Sequence, residues 1–163
     1  MRAICVQTPC EIETAMSRFS PATEWHVRDA ENAWNTGNVD ALLLGHTIDC
    51  QWRNRVTFLW GREQIRAFLD RQFRRELDLR VLFEPWSEGE GRLSIRHAAE
   101  FRTDSGTWFR VHGSEDIEFD HAGLIRRRLT AANEHPIQER ERTLRWPEGP
   151  RPADHPSLTE LGF

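Results

Sequence analysis

Residues 77–83 read LDLRVLF, and in this stretch apolar side chains alternate with polar ones. Because successive side chains of a strand point to opposite faces, the alternation predicts a strand with one buried face. Three further strands are predicted over residues 92–102, 107–119 and 124–132, each preceded by a short turn that contains glycine. Such spacing is typical of antiparallel strands joined by hairpins. The second half of the chain therefore predicts an antiparallel sheet.

Helical patterns dominate the first half. Ser20 and Pro21 provide an N-cap hydroxyl and a first-turn proline for a helix that ends at Gly37. Asn38 is expected to cap a short second helix, and a third is expected over residues 62–76, where apolar side chains recur on one face. Together with the sheet, these helices predict an α+β domain.

One more strand is predicted between the second and third helices. Cys50, Trp52 and Asn54 alternate with polar residues there and share a face. A bent sheet wrapped around helices leaves a cavity where the two do not quite meet, and such clefts are where small molecules bind. The sequence therefore predicts a pocket protein.

Composition excludes several classes of function. The 22 basic residues are all arginine, and without lysine there is no Schiff-base enzyme, lysine-bound pyridoxal phosphate or P-loop. The net charge is −4, and side chains of the one dense basic run, residues 126–128, alternate between strand faces. No nucleic-acid partner is expected.

Cysteine usage and the apolar runs bear on location. Cys5, Cys10 and Cys50 are odd in number and lack a CxxC spacing, which favours reduced thiols in the cytoplasm. The first residues hold no signal-peptide core, and no stretch approaches the roughly 20 apolar residues of a membrane span. A cytoplasmic protein without a membrane partner is expected.

The chain divides into three parts. Residues 1–19 have no periodicity and are predicted to form a flexible N-terminal arm, followed by one α+β domain over residues 20–135. Residues 136–163 hold five of the eight prolines and form a tail that is neither helix nor central strand. Because exposure of the apolar side chains of Trp146 and Leu158 to water is unfavourable, the tail is expected to pack on the domain or on a dimer mate.

Six motifs in order resemble the nuclear transport factor 2-like superfamily, also called SnoaL-like, and within it a bacterial subfamily of unknown function. They are AENAWN (30–35), WRNR (52–55), GREQI (61–65), GTWFR (106–110), GLIRRR (123–128) and the tail from RWP (145–147) to HP (155–156). The resemblance covers about residues 22–163. It implies a cone of three N-terminal helices packed on a strongly curved, mostly antiparallel sheet, with sheet-to-sheet homodimers.

The resemblance implies a fold and a pocket but no single activity, since the superfamily holds isomerases, dehydratases, cyclases, epoxide hydrolases and non-catalytic binders. Two segments depart from the family pattern. HAAE at residues 97–100 and RVHGSEDI at residues 110–117 carry smaller or titratable side chains where large aromatics are expected. If these positions line the cavity, the pocket is roomier and more basic than those of its relatives.

Candidate ligand-binding residues follow from the strand faces and these departures. They are Trp34, Trp52, Asn54, His97, Glu100, Trp108, Arg110 and Arg127. Three of them have a structural alternative: Trp52 fits a core tryptophan, Asn54 a backbone-bonded amide, and Glu100 an ion pair with Arg96. Histidines with cupin or His-Glu-x-x-His spacing are absent, so no metal is expected.

The candidate catalytic pair, His112 and Glu115, depends on Gly113. A glycine inside a strand often marks a bulge, and a bulge here turns Arg110, His112 and Glu115 to one face. The guanidinium would then hold an enolate or carboxylate while His112 moves a proton. In the alternative, Glu115 only neutralises Arg127.

These residues predict a small-molecule pocket protein, with two functions left open. One is a cofactor-free lyase, isomerase or cyclase that uses acid-base residues in the cavity, and the other is a non-catalytic binding or sensor module. Phe109 and Val111 are expected on the outer strand face, where they predict a homodimer with the tail across its boundary.

Overall fold

The computed structural model describes residues 18–163, so all but the last two residues of the predicted N-terminal arm lie outside the described part. Three helices are present: α1 (Pro21–Asn35), α2 (Val39–Leu44) and α3 (Gly61–Arg75). As predicted, Ser20 caps α1, its Oγ accepting a hydrogen bond from the amide of Thr23. None of the helices in residues 18–163 is long and apolar enough to cross a membrane.

Six strands form one mixed sheet in the order β2-β1-β6-β5-β4-β3. They are β1 (His46–Asn54), β2 (Thr57–Trp60), β3 (Leu77–Gly89), β4 (Arg92–Arg102), β5 (Trp108–Phe119) and β6 (Ile125–Ile137). Neighbouring strands are antiparallel except β1 and β6, which are parallel. The short β2 was not predicted. The third helix, α3, follows β1 and β2, so the three helices are not all N-terminal to the sheet.

The two faces of the sheet have different neighbours. The inner face packs on the helices and carries the main core, to which β5 contributes Phe109, Val111 and Ile117. The outer face of β5 contacts the C-terminal tail, where His112 meets the ring of Phe163. The prediction that Phe109 and Val111 point outward is therefore wrong, and these two residues no longer support a homodimer through the outer face.

The predicted bulge at Gly113 is also wrong. Gly113 pairs with His97 on β4 and with Ala132 on β6, and the register is unbroken on both sides of it. Strict alternation therefore holds, which leaves Arg110 and His112 on the outer face and Glu115 on the inner one.

The tail crosses the outer face of β3, β4 and β5. Leu144, Trp146 and Leu158 are buried against Leu82 and Ala98 of the sheet. The strand β6 itself runs two residues into the predicted tail, through Pro136. Pro136 pairs with Phe109 of β5 but turns its backbone nitrogen to the other side of β6, as Thr130 does in accepting from the Arg55 amide. On that side β1 pairs with β6 only as far as Thr130, so the missing N–H of the proline has no partner to lose.

Candidate functional site

A cavity of about 440 Å³ lies between α3 and the inner face of the sheet. Its apolar wall is formed by Trp34, Trp52, Phe68, Leu79, Val81 and Phe83. This volume is within the roughly 300–1,000 Å³ of typical small-molecule sites. The cavity is large enough for a compact organic molecule.

A buried ion pair borders the cavity. Glu115 Oε1 lies 2.7 Å from Arg128 Nη2 and Oε2 lies 2.8 Å from Nε, with both side chains 5% exposed. The guanidinium carbon of Arg128 stands 4.2 Å from the ring centroid of Trp52, whose Nε1 donates to Thr130 Oγ1. Burial opposes ionisation, but Arg128 holds the pKa of Glu115 below its ordinary value. Glu115 is therefore a fixed, paired carboxylate rather than a proton acceptor.

A second carboxyl in the cavity behaves differently. Glu76 ends α3 directly before β3, is 8% exposed, and accepts a hydrogen bond of 3.1 Å from Gln72 Nε2. Burial raises the pKa of Glu76 to about 7, against the opposing effects of Gln72 and Arg75. A carboxyl of this kind is populated in both protonation states near neutrality, as a general acid-base group requires.

His97 is a neutral polar group in the same cavity. Burial lowers its pKa, so the ring carries no charge at neutral pH. Its Nδ1 is buried and has no partner among the described residues. The imidazole lies across Gly113: a Cβ at that position would stand 2.5 Å from His97 Cε1 and 2.5 Å from the carbonyl oxygen of Ala131. The glycine is thus required by close approach, not by a bulge.

Gly113→Ala is expected to lower the free energy of unfolding by about 1–3 kcal/mol and to displace the His97 ring, because the new methyl group overlaps backbone as well as side chain. Urea unfolding measures the first effect and the His97 imidazole resonances the second. Gly89→Ala is the matched control, since a Cβ there meets nothing within 4 Å. Equal stability of the two variants would show that the close approach is absent.

Further polar groups give the cavity hydrogen-bond donors, an acceptor and positive charge. Trp34 Nε1 and Gln72 Oε1 are buried without a partner among residues 18–163 and so provide one donor and one acceptor. Arg55, Arg71 and Arg75 also line the cavity. Two of these arginines, Arg55 and Arg75, share the carboxylate of Glu134, at 3.0 and 2.6 Å. Positive charge therefore exceeds negative charge on the side of the cavity that these arginines line.

Five of the ten residues predicted for the site line this cavity. They are Trp34, Trp52, Asn54, His97 and Glu115. Trp52 also serves as the core tryptophan of its alternative interpretation, being 1% exposed. Asn54 is half-buried at the end of β1.

The other five lie elsewhere. Glu100, Trp108, Arg110 and His112 are on the outer face beneath the tail, and Arg127 is exposed. The proposed trio of Arg110, His112 and Glu115 is therefore divided between the two faces. Glu100 pairs with Arg110 at 2.7 Å rather than with Arg96, which binds Glu84. The partner of Glu115 is Arg128 rather than Arg127.

Sequence reasoning missed Glu76 and Arg128. Glu76 stands at a helix-to-strand junction, where a carboxylate is usually solvated, and nothing local distinguishes it. For Arg128 the sequence held a signal. Arg128, Thr130 and Ala132 are spaced two residues apart, and all three face inward on β6. Among residues 18–163, no three His, Cys, Asp or Glu side chains are placed to hold a metal ion.

The architecture is shared with solved structures of the nuclear transport factor 2-like class. A protein of unknown function from Exiguobacterium sp. 255-15 superposes with a TM-score of 0.58 at 17% identity, covering 68% of this chain and 98% of its own. A protein from Catenulispora acidiphila with a ketosteroid isomerase-like fold, solved in complex with trimethylamine, superposes with a TM-score of 0.57 at 18% identity. The match covers 63% of this chain and 81% of that protein. SalBIII, described as an epoxide hydrolase/cyclase-like enzyme in pyran-ring formation of the polyether salinomycin, superposes with a TM-score of 0.56 at 17% identity. The match covers 69% of this chain and 88% of SalBIII.

The fold is therefore nuclear transport factor 2-like, as the sequence motifs implied. Within it, the chain belongs to the family described as protein of unknown function DUF1348, whose sequence model matches residues 18–145. Comparison with curated proteins found no match.

Proposed function

We propose that this chain is a cofactor-independent proton-transfer enzyme that acts on a small carbonyl compound, as an isomerase, lyase or cyclase. The observation that carries the proposal is Glu76, a desolvated carboxyl on the wall of a cavity of suitable size. Glu76 takes or returns a proton at carbon, while the aromatic wall of Trp52 and Phe68 holds the carbon skeleton.

The charges around Glu76 favour this chemistry. Removing a proton next to a carbonyl leaves an enolate, and preorganised donors aimed at developing negative charge supply much of the catalysis in such reactions. The cavity offers the neutral ring of His97, the Trp34 indole N–H and the lining arginines. The solved structures of the same fold include one described as ketosteroid isomerase-like and one described as an epoxide hydrolase/cyclase-like enzyme, which is in line with this reaction class.

Isotope exchange tests the proposal without knowledge of the substrate. A panel of enolisable cyclic ketones and 2-oxo acids is incubated with the protein in D₂O, and loss of the α-proton signal is followed by NMR. The protein is expected to accelerate exchange for at least one compound, and Glu76→Gln is expected to abolish it while retaining binding. Binding without exchange by the wild-type chain would favour the non-catalytic binding module instead.

Stability is expected to depend on pH through Glu76. With a folded-state pKa of about 7 against 4.5 in the unfolded chain, this group stabilises the fold fully below pH 4.5, and that contribution is lost as the pH rises to 7. Glu76→Gln should therefore become more stable than wild type across this window, by about 3 kcal/mol at pH 7. Urea titrations at several pH values measure the difference. Glu63→Gln, on the exposed first turn of the same helix, should show no such trend.

The homodimer through the outer sheet face remains part of the proposal, at the β2 end of that face. Phe58 and Trp60 stand two residues apart on β2, opposite the inward Leu59, and are 78% and 64% exposed. Large apolar side chains exposed together mark partner surfaces. Because the tail covers the β3–β5 part of the outer face, a second copy is expected to dock at the β2 end. Light scattering of the wild-type protein should give twice the chain mass. The double variant Phe58→Glu with Trp60→Glu should give the mass of a monomer. A monomeric wild type would refute the proposed dimer.

A further inference from the structure

A second cavity, of about 430 Å³, lies between α1, α2 and the inner face of the sheet. Its walls are mostly apolar, formed by Val27, Ala33, Leu42, Ile95, Ile117 and Ile125. It borders Phe83 and Glu115, as the first cavity does, and in addition Arg128. The buried ion pair therefore stands between the two spaces, and the second cavity is no part of the site proposed above.

His46 gives this cavity a defined hydrogen-bond acceptor. The residue is 2% exposed and its Nδ1 lies 2.7 Å from the carbonyl oxygen of Leu42. Because a carbonyl only accepts, Nδ1 carries the hydrogen and Nε2 carries a lone pair. Within residues 18–163 this buried Nε2 has no partner. Burial, followed by the charge of Arg128, lowers the pKa of His46 to about 4, so the ring stays neutral under ordinary conditions.

Asn32 supplies a second acceptor from the opposite wall. Its Oδ1 is buried and likewise lacks a partner in the described part of the chain. Leaving such groups unsatisfied is costly, and buried polar atoms without partners call for an explanation. Two acceptors reached from α1 and β1 are complementary to a ligand that donates hydrogen bonds.

We propose that this second cavity binds a small, largely apolar, uncharged molecule bearing one or two hydroxyl groups, with a hydroxyl donating to His46 Nε2. A carboxylate ligand is disfavoured by the lone pair of His46 and by Glu115 and Asp29, which also line the cavity. An ammonium ligand is disfavoured by the guanidinium of Arg128. Apolar walls with few convergent polar groups are typical of sites for such ligands.

Matched probes and matched variants test the assignment. The probes are 1-naphthol and its near-isostere 1-fluoronaphthalene, which cannot donate, and binding is measured by titration followed by NMR. His46→Asn keeps an amide donor for the Leu42 carbonyl but removes the Nε2 acceptor. Ala30→Leu fills the second cavity and Ala132→Leu fills the first, since each alanine lines one of them.

The expected result is that 1-naphthol binds about 5- to 10-fold more tightly than 1-fluoronaphthalene, as one net hydrogen bond provides. His46→Asn should remove that preference, Ala30→Leu should block binding, and Ala132→Leu should leave it intact. Equal binding of the two probes, blockage by Ala132→Leu rather than Ala30→Leu, or no binding of 1-naphthol up to its solubility would overturn the proposal. The probe comparison and the alanine pair remain decisive if His46→Asn does not fold. None of these readouts depends on Glu76, so the proposed catalysis can fail independently.

Discussion

Arg128→Met is expected to lower the free energy of unfolding by about 3–5 kcal/mol, the range found when one partner of a buried pair is removed. The reason is the buried carboxylate of Glu115, which accepts two hydrogen bonds shorter than 3 Å from the guanidinium of Arg128. Without Arg128, Glu115 either remains as a buried, uncompensated charge or takes up a proton. Chemical denaturation at pH 7 measures the loss.

The double variant Arg128→Met with Glu115→Leu separates the pair from its packing. Replacing a buried ion pair by apolar groups of similar volume is often nearly neutral, so the double variant should recover most of the stability lost by the single one. If Arg128→Met alone lowers stability by less than about 1 kcal/mol, as exposed pairs do, then the pair is solvated and the description of the cavity is wrong.

Glu100→Ala is expected to release the C-terminal tail and to lower the free energy of unfolding by about 3–5 kcal/mol. Glu100 is fully buried and accepts two hydrogen bonds from Arg110, of 2.9 and 2.7 Å. It also accepts from the amides of Thr143 and Leu144. One carboxylate thus joins β5 to the tail. Its loss leaves two amides without their acceptor and Arg110 without its carboxylate partner.

Two measurements separate tail release from general unfolding. Amide exchange at Thr143 and Leu144 should accelerate in Glu100→Ala while the amides of β4 and β5 stay protected, and trypsin should cleave after Arg145 before it degrades the domain. Glu148→Ala, on an exposed tail residue, is the control and should change stability by no more than about 0.5 kcal/mol. Protected Thr143 and Leu144 amides in Glu100→Ala would contradict the role given to Glu100.

The order of elements was largely predictable because it depends on local periodicity. Alternation from residue 77 to residue 132 gave four strands, and the apolar spacing of residues 62–76 gave α3. The short β2 was missed because four residues next to a turn carry too little pattern to recognise. Alternation also does not say which face is inner, and that is where Phe109 and Val111 were misplaced.

The site was less predictable because burial and pairing are tertiary properties. A glycine within a strand marks either a bulge or the close approach of another group. For Gly113 only the position of the His97 ring distinguishes the two. Glu76 looks like a solvated helix-end carboxylate in the sequence, yet the fold buries it in the cavity. By contrast, alternation alone puts Trp52 and Cys50 on one strand face, and both side chains are buried.

The central claim is that Glu76 exchanges a proton near neutral pH inside the cavity, and its carboxyl carbon reports this directly. The measurement is a pH titration of the Glu76 ¹³Cδ chemical shift, assigned by comparison with Glu76→Gln. The expected midpoint is a pKa of about 7, raised from 4.5 by burial. A midpoint near 4.5 would show a solvated carboxylate and would remove the acid-base group on which the proposed function rests.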